Sequence, residues 1–99
     1  MKGPTSARTQ RAAGELGGHL TTWRKLLGLT AAQVADRAGV SRTTLRRLET
    51  GEAGVSLDTA LNVARALGQL DRLVEALDPY ETDLGRARAD QRLPQRVRR

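Results

Sequence analysis

Four glycines cut the middle of this chain into short pieces. Gly28, Gly39, Gly51 and Gly68 each follow a stretch of helical apolar spacing, and a capping residue soon opens the next piece. Thr30-Ala31-Ala32-Gln33 is a Thr-x-x-Gln capping box. Ser41 opens the third piece and Ser56 the fourth, with Asp58 in its first turn, where the helix dipole favours an anion. Isolated helices shorter than about 12–15 residues are marginal in water. Pieces this short therefore hold only by packing on one another.

The apolar positions say which faces pack. Leu16, Leu20, Trp23 and Leu27 fall at i, i+4, i+7 and i+11 and predict one buried stripe. Val34, Ala35 and Ala38 predict the second, Leu45 and Leu48 the third, and Leu57, Leu61, Ala64 and Leu67 the fourth. Leu70, Leu73, Val74 and Leu77 predict the fifth, halted by Asp78-Pro79. The expectation is a compact all-α domain of five helices over residues 15–78. No strand signal or internal repeat is visible.

With 99 residues the chain has room for one small domain. Aromatic residues are 2% of the chain and Phe is absent, so the core must be Leu, Val and Ala. The absence of Cys excludes disulfides and thiolate metal sites. No apolar run approaches a membrane span and no signal-peptide pattern opens the chain, so a cytoplasmic protein is expected. One His, no glycine-rich phosphate loop and no metal-ligand cluster argue against an enzyme, and no cofactor is expected. His19 reads as a surface or core-edge residue.

The net charge of +6 is concentrated at the ends. Lys2, Arg8 and Arg11 stand unopposed in residues 1–14, which lack apolar periodicity and are expected to be a disordered basic arm. Residues 15–78 balance their charges. Residues 79–99 set six arginines against Glu81, Asp83 and Asp90, and are expected to form a flexible Arg-rich tail. Basic ends suit a polyanion partner.

The third piece is the informative one. Val40-Ser41-Arg42-Thr43-Thr44-Leu45-Arg46-Arg47-Leu48-Glu49-Thr50-Gly51 has only Leu45 and Leu48 as large apolar residues in its interior. Its remaining face carries three arginines and two threonines. Two short helices joined by a tight turn at Gly39 form the helix-turn-helix arrangement, whose second helix enters the major groove.

Residues 23–51, "WRKLLGLTAAQVADRAGVSRTTLRRLETG", resemble the Cro/lambda-repressor class of helix-turn-helix domains, the XRE family. The register is carried by Arg24, Gly28-Leu29-Thr30, Val34-Ala35, Gly39-Val40-Ser41, Leu45, Leu48-Glu49 and Gly51. The resemblance spans about residues 15–77 and implies a five-helix fold and a partner of double-stranded DNA, bound as a homodimer. It implies that the helix at 41–50 lies in the major groove, with Arg42, Thr43 and Arg47 facing base edges and Thr44 facing the phosphate backbone. Arg can bridge O6 and N7 of guanine, and a Thr methyl can pack on the thymine methyl. Thr30, Gln33, Ser41 and Arg46 complete the expected phosphate contacts. Arg24 and Glu49 resemble the family's structural ion pair. Ala31 departs from the pattern: the family usually has Gln there, contacting a phosphate, so that contact is either lost or supplied elsewhere, by Gln33 or the basic ends.

The resemblance implies a bacterial transcriptional regulator, most simply a repressor, nucleoid-associated when bound. The chain with its tail is also similar to HipB-like antitoxins, which accompany HipA-like toxin kinases. In that alternative, Tyr80, Leu84, Leu93 and Val97 are the apolar anchors for the partner.

Overall fold

The computed structural model describes residues 5–93. Its elements are α1 (Ala7–Leu26), α2 (Ala31–Ala38), α3 (Arg42–Glu49), α4 (Leu57–Ala66), α5 (Leu70–Glu75), a 3-10 turn η1 (Pro79–Glu81) and α6 (Asp83–Arg92). No strand occurs among the described residues. The all-α fold expected from the punctuation is present, and each expected stop holds. Gly28, Gly39, Gly51 and Gly68 all take positive φ, and the Ser and Thr hydroxyls at 30, 41 and 56 each accept a backbone N–H of the first turn.

Leu45, Val34 and Val63 lie at the centre and are wholly buried. Leu20, Ala35, Ala38, Leu48 and Leu67 close around them, with Trp23, Leu29, Val40 and Ala60 packed on the outside. α2 and α3 both pack on α4, and α1 lies across α3.

Three expectations are corrected. The basic arm at 1–14 is helical from Ala7 onward, because Ser6 caps Thr9 N at 3.1 Å and Arg8, Gln10, Arg11, Ala12 and Ala13 are good helix formers. That half of α1 docks through small residues, so it shows no hydrophobic periodicity. A Cβ on Gly51 would come within 2.5 Å of the Gly14 Cα, and Gln10 Nε2 donates to the Gly51 carbonyl at 3.2 Å.

The second correction concerns the tail, whose described residues 79–92 are folded locally into η1 and α6. Asp78 caps Tyr80 N, Thr82 caps Gly85 N, and Arg86 pairs with Asp83. The third concerns the apolar stripes. Leu57, Val74 and Leu77 are exposed at 72%, 62% and 88%, and Leu16 and Leu27 are partly so. In α4 the buried face runs through Ala60, Val63, Ala64 and Leu67. Helical spacing fits that face as well as one through Leu57 and Leu61, and packing against α2 chose between them.

Candidate nucleic-acid interface

The recognition unit starts from two helix caps and one turn. At α2, Gln33 N donates to Thr30 Oγ1 at 3.1 Å and Thr30 N donates to Gln33 Oε1 at 2.9 Å, the reciprocal capping box. The acceptors of both side chains are thus engaged. The Thr30 hydroxyl proton and the Gln33 amide protons face solvent as donors, the polarity a phosphate needs.

Gly39 then turns the chain with φ 72° and ψ 29°, the left-handed region that side chains with a Cβ rarely enter. Val40 N donates to the Ala35 carbonyl at 3.0 Å, and the half-buried Val40 side chain packs on the core. That seats Ser41 to cap α3. Ser41 Oγ accepts Thr44 N at 3.0 Å and donates its own proton to Thr44 Oγ1 at 2.9 Å. The donor left over is the Thr44 hydroxyl.

α3 is held by Leu45 and Leu48, so its opposite side must face outward. Arg42, Thr43 and Arg46 are exposed, and none forms an ion pair among the described residues. Arg42, Thr43 and Arg46 line an open groove of about 430 Å³ with Ala31, Leu45 and Glu49. The start of α2 forms its other wall. Ala31 is half-buried there and packs toward the core, so its side chain offers no donor.

Arg47 behaves differently. Its Nε donates to Glu52 Oε1 at 2.9 Å, a partner that sequence reasoning missed.

Arg24 and Glu49 form the ion pair the sequence pointed to. Nε and Nη2 of Arg24 meet the two carboxylate oxygens of Glu49 at 2.9 and 3.2 Å, a bidentate fork joining α1 to the end of α3. Their side chains are only 15% and 12% exposed. The hydrogen bonds to Glu49 raise the Arg24 pKa, and desolvation opposes them more weakly. The pair orients α3 against α1.

The residues expected to anchor a partner lie elsewhere. Tyr80 on η1, Leu84 on α6 and Leu93 just past it are all exposed, and Tyr80 and Leu93 share one shallow cleft with Arg88 and Arg92 while Leu84 lies outside it. Val97 falls outside the described residues. His19 is exposed at a cleft edge beside Trp23. Among the described residues no group of His, Asp or Glu is arranged to hold a metal, and no helix is long and apolar enough to cross a membrane.

Residues 20–77 match the helix-turn-helix family model HTH_3, well over half the chain. The chain belongs to this XRE-type helix-turn-helix family, whose members bind DNA. It is 50% identical over 46 residues to an uncharacterized HTH-type transcriptional regulator of Methanothermobacter thermautotrophicus, covering 46% of this chain and 67% of that protein. No solved structure matches the chain.

Proposed function

We propose that this protein is a sequence-specific regulator of transcription that binds operator DNA as a homodimer, most simply as a repressor in the cytoplasm. The helix spanning 41–50 occupies the major groove, with Arg42, Thr43 and Arg47 at base edges. Thr30, Gln33, Ser41, Thr44 and Arg46 meet phosphates, Ser41 mainly by holding Thr44. The observation that carries this reading is the outward face of α3: arginines and a threonine on a helix fixed from behind by Leu45 and Leu48. The name of the archaeal relative supports a regulatory role. A dimer follows from physics, because one such helix reads too few base pairs for useful specificity.

The test is selection from a randomised duplex pool, followed by titration at several salt concentrations. Neutralising about 6–10 phosphates makes affinity fall roughly 10³–10⁵-fold between 50 and 200 mM salt. Arg42→Ala relaxes the preference at particular positions of the selected site. Arg46→Ala weakens selected and unrelated duplexes alike and flattens the salt slope by about one unit. Folded protein that ignores duplex DNA at low salt would sink the proposal.

A second reading makes the protein the antitoxin partner of a HipA-like kinase, repressing its own operon. Tyr80, Leu84 and Leu93, each exposed on the segment after α5, favour it. Co-purification of such a kinase, lost on truncation after Asp78, is the discriminating result.

A further inference from the structure

The turn that ends α3 does more than stop a helix. Gly51 N donates to the Leu48 carbonyl at 3.0 Å and Glu52 N donates to the Arg47 carbonyl at 2.9 Å. With Gly51 at φ 74°, these are the two bonds of a Schellman motif. The motif brings the side chain two residues past the cap against the side chain three residues before it. Here those residues are Glu52 and Arg47. An apolar contact usually fills that place. In this chain it is an ion pair, with side chains 40% and 56% exposed. So exposed a pair adds little to stability, and folding does not account for it.

We infer that Glu52 is a positioning residue that sets the base specificity of Arg47. Glu52 takes the Nε–H of Arg47. The two Nη groups are left free, and their planar fork matches an acceptor pair such as O6 and N7 of guanine. A free arginine has many rotamers and loses them on binding; one already held loses fewer. The backbone that carries the carboxylate is held in place. Gly51 is buried, its Cβ position is blocked by the backbone of Ala13 and Gly14, and its carbonyl is held by Gln10. α1 thus clamps the turn that carries Glu52.

The anionic charge has a second effect. A carboxylate beside the recognition helix repels phosphates in any complex, whatever its sequence. Non-specific binding is weakened throughout, and the specific site regains the loss through the aimed arginine. Glu52 therefore widens the ratio between the two.

This inference rests on the reading of α3 as the base-reading helix, and the test separates the two. A preferred site is first selected for the unaltered protein from a randomised duplex pool. The affinities of the E52A, E52Q and R47A variants are then measured on that site, on its single-base variants and on an unrelated duplex, with circular dichroism confirming each fold. E52A should bind the unrelated duplex several-fold more tightly and lose discrimination at one base position on the order of tenfold, the scale of one bidentate base contact. E52Q, which keeps an acceptor for Nε–H, should share the gain on the unrelated duplex but retain most of that discrimination. R47A should lose discrimination at the same position. If E52A leaves that discrimination intact, or strengthens selected and unrelated duplexes equally, Glu52 only repels and the inference is overturned. If R47A itself alters no base preference, the assignment of Arg47 to base readout fails, and that of Glu52 with it.

Discussion

Helices α3 and α6 are close to one another on paper. They have eight and ten residues, each is capped by a hydroxyl, and each carries three arginines. Their circumstances are opposite. α3 drives Leu45 and Leu48 into the centre of the protein, is tied to α1 through Arg24 and Glu49, and ends in a clamped turn. α6 buries nothing, and its main packing is against the 3-10 turn just before it. The difference lies in two leucines three residues apart. They fix the rotation of α3 about its axis, and with it the directions of three arginines. In α6 a single leucine beside alternating Arg and Ala fixes no such face. Arginine content cannot separate a helix with one fixed outward face from a helix without one; a buried stripe behind the arginines can.

The contrast can be broken by comparing truncations. Leu45→Ala should cost about 2–5 kcal/mol, because it empties a fully buried site, and should take DNA binding with it. Leu84→Ala should stay within about 0.5 kcal/mol, as for most exposed substitutions. Urea denaturation of both variants checks this. Comparable losses would mean that α6 packs on the domain after all.

A smaller effect is expected at the tie between α1 and α3. Arg24→Ala should cost roughly 1–3 kcal/mol, less than a fully buried pair because the two side chains keep some contact with water. The Arg24 pKa is raised, so the pair's contribution is complete below the ordinary arginine value and is lost only as pH climbs through the raised one. The deficit of the variant should accordingly stay constant from neutral to mildly alkaline pH. A deficit that shrinks steadily over that range would show that another titrating group supports the pair.

The smallest effect belongs to the last segment. A chain ending at Asp78 should melt within a few degrees of the full protein, since no residue of η1 or α6 is buried. It should keep its base preferences and lose affinity, with a shallower salt dependence, because the arginines of 79–99 are gone. A collapsed melting transition would place those residues in the domain or in a dimer, and the contrast between α3 and α6 would dissolve.

Much of the recognition unit was legible because it is built from local chemistry. The capping box at Thr30 and Gln33, the left-handed Gly39 and the cap at Ser41 are each written within a few residues. The ion pair of Arg24 and Glu49 was read from family register across 25 positions. What escaped was contact made without large side chains. The first half of α1 meets the turn after α3 through Ala13, Gly14 and Gly51, and periodicity has nothing to register there. Gly17 is similar: it is buried, and a Cβ on it would lie within 2.5 Å of the Leu48 carbonyl oxygen. Glu52 escaped because a charged residue after a helix stop looks like any loop residue. Only the hydrogen-bond pattern of the turn shows that it must lie against Arg47. The mistaken stripe in α4 has another origin, since two overlapping faces satisfied one spacing rule and tertiary packing selected between them.

The chain also carries its own optical label. Trp23 is its single tryptophan, with the Arg72 guanidinium 5.8 Å from the centre of its ring. The ring lines the cleft where α1, α4 and α5 meet, together with Leu20, Ala64 and Leu73, and is absent from the groove beside α3. Emission from the protein therefore comes overwhelmingly from a position that senses how α5 sits on α1. A molecule bound in the groove beside α3 would not touch that ring, whereas one that covers α5 would. Steady-state fluorescence without any dye can thus tell association through α5 from association through α3, in a single cuvette.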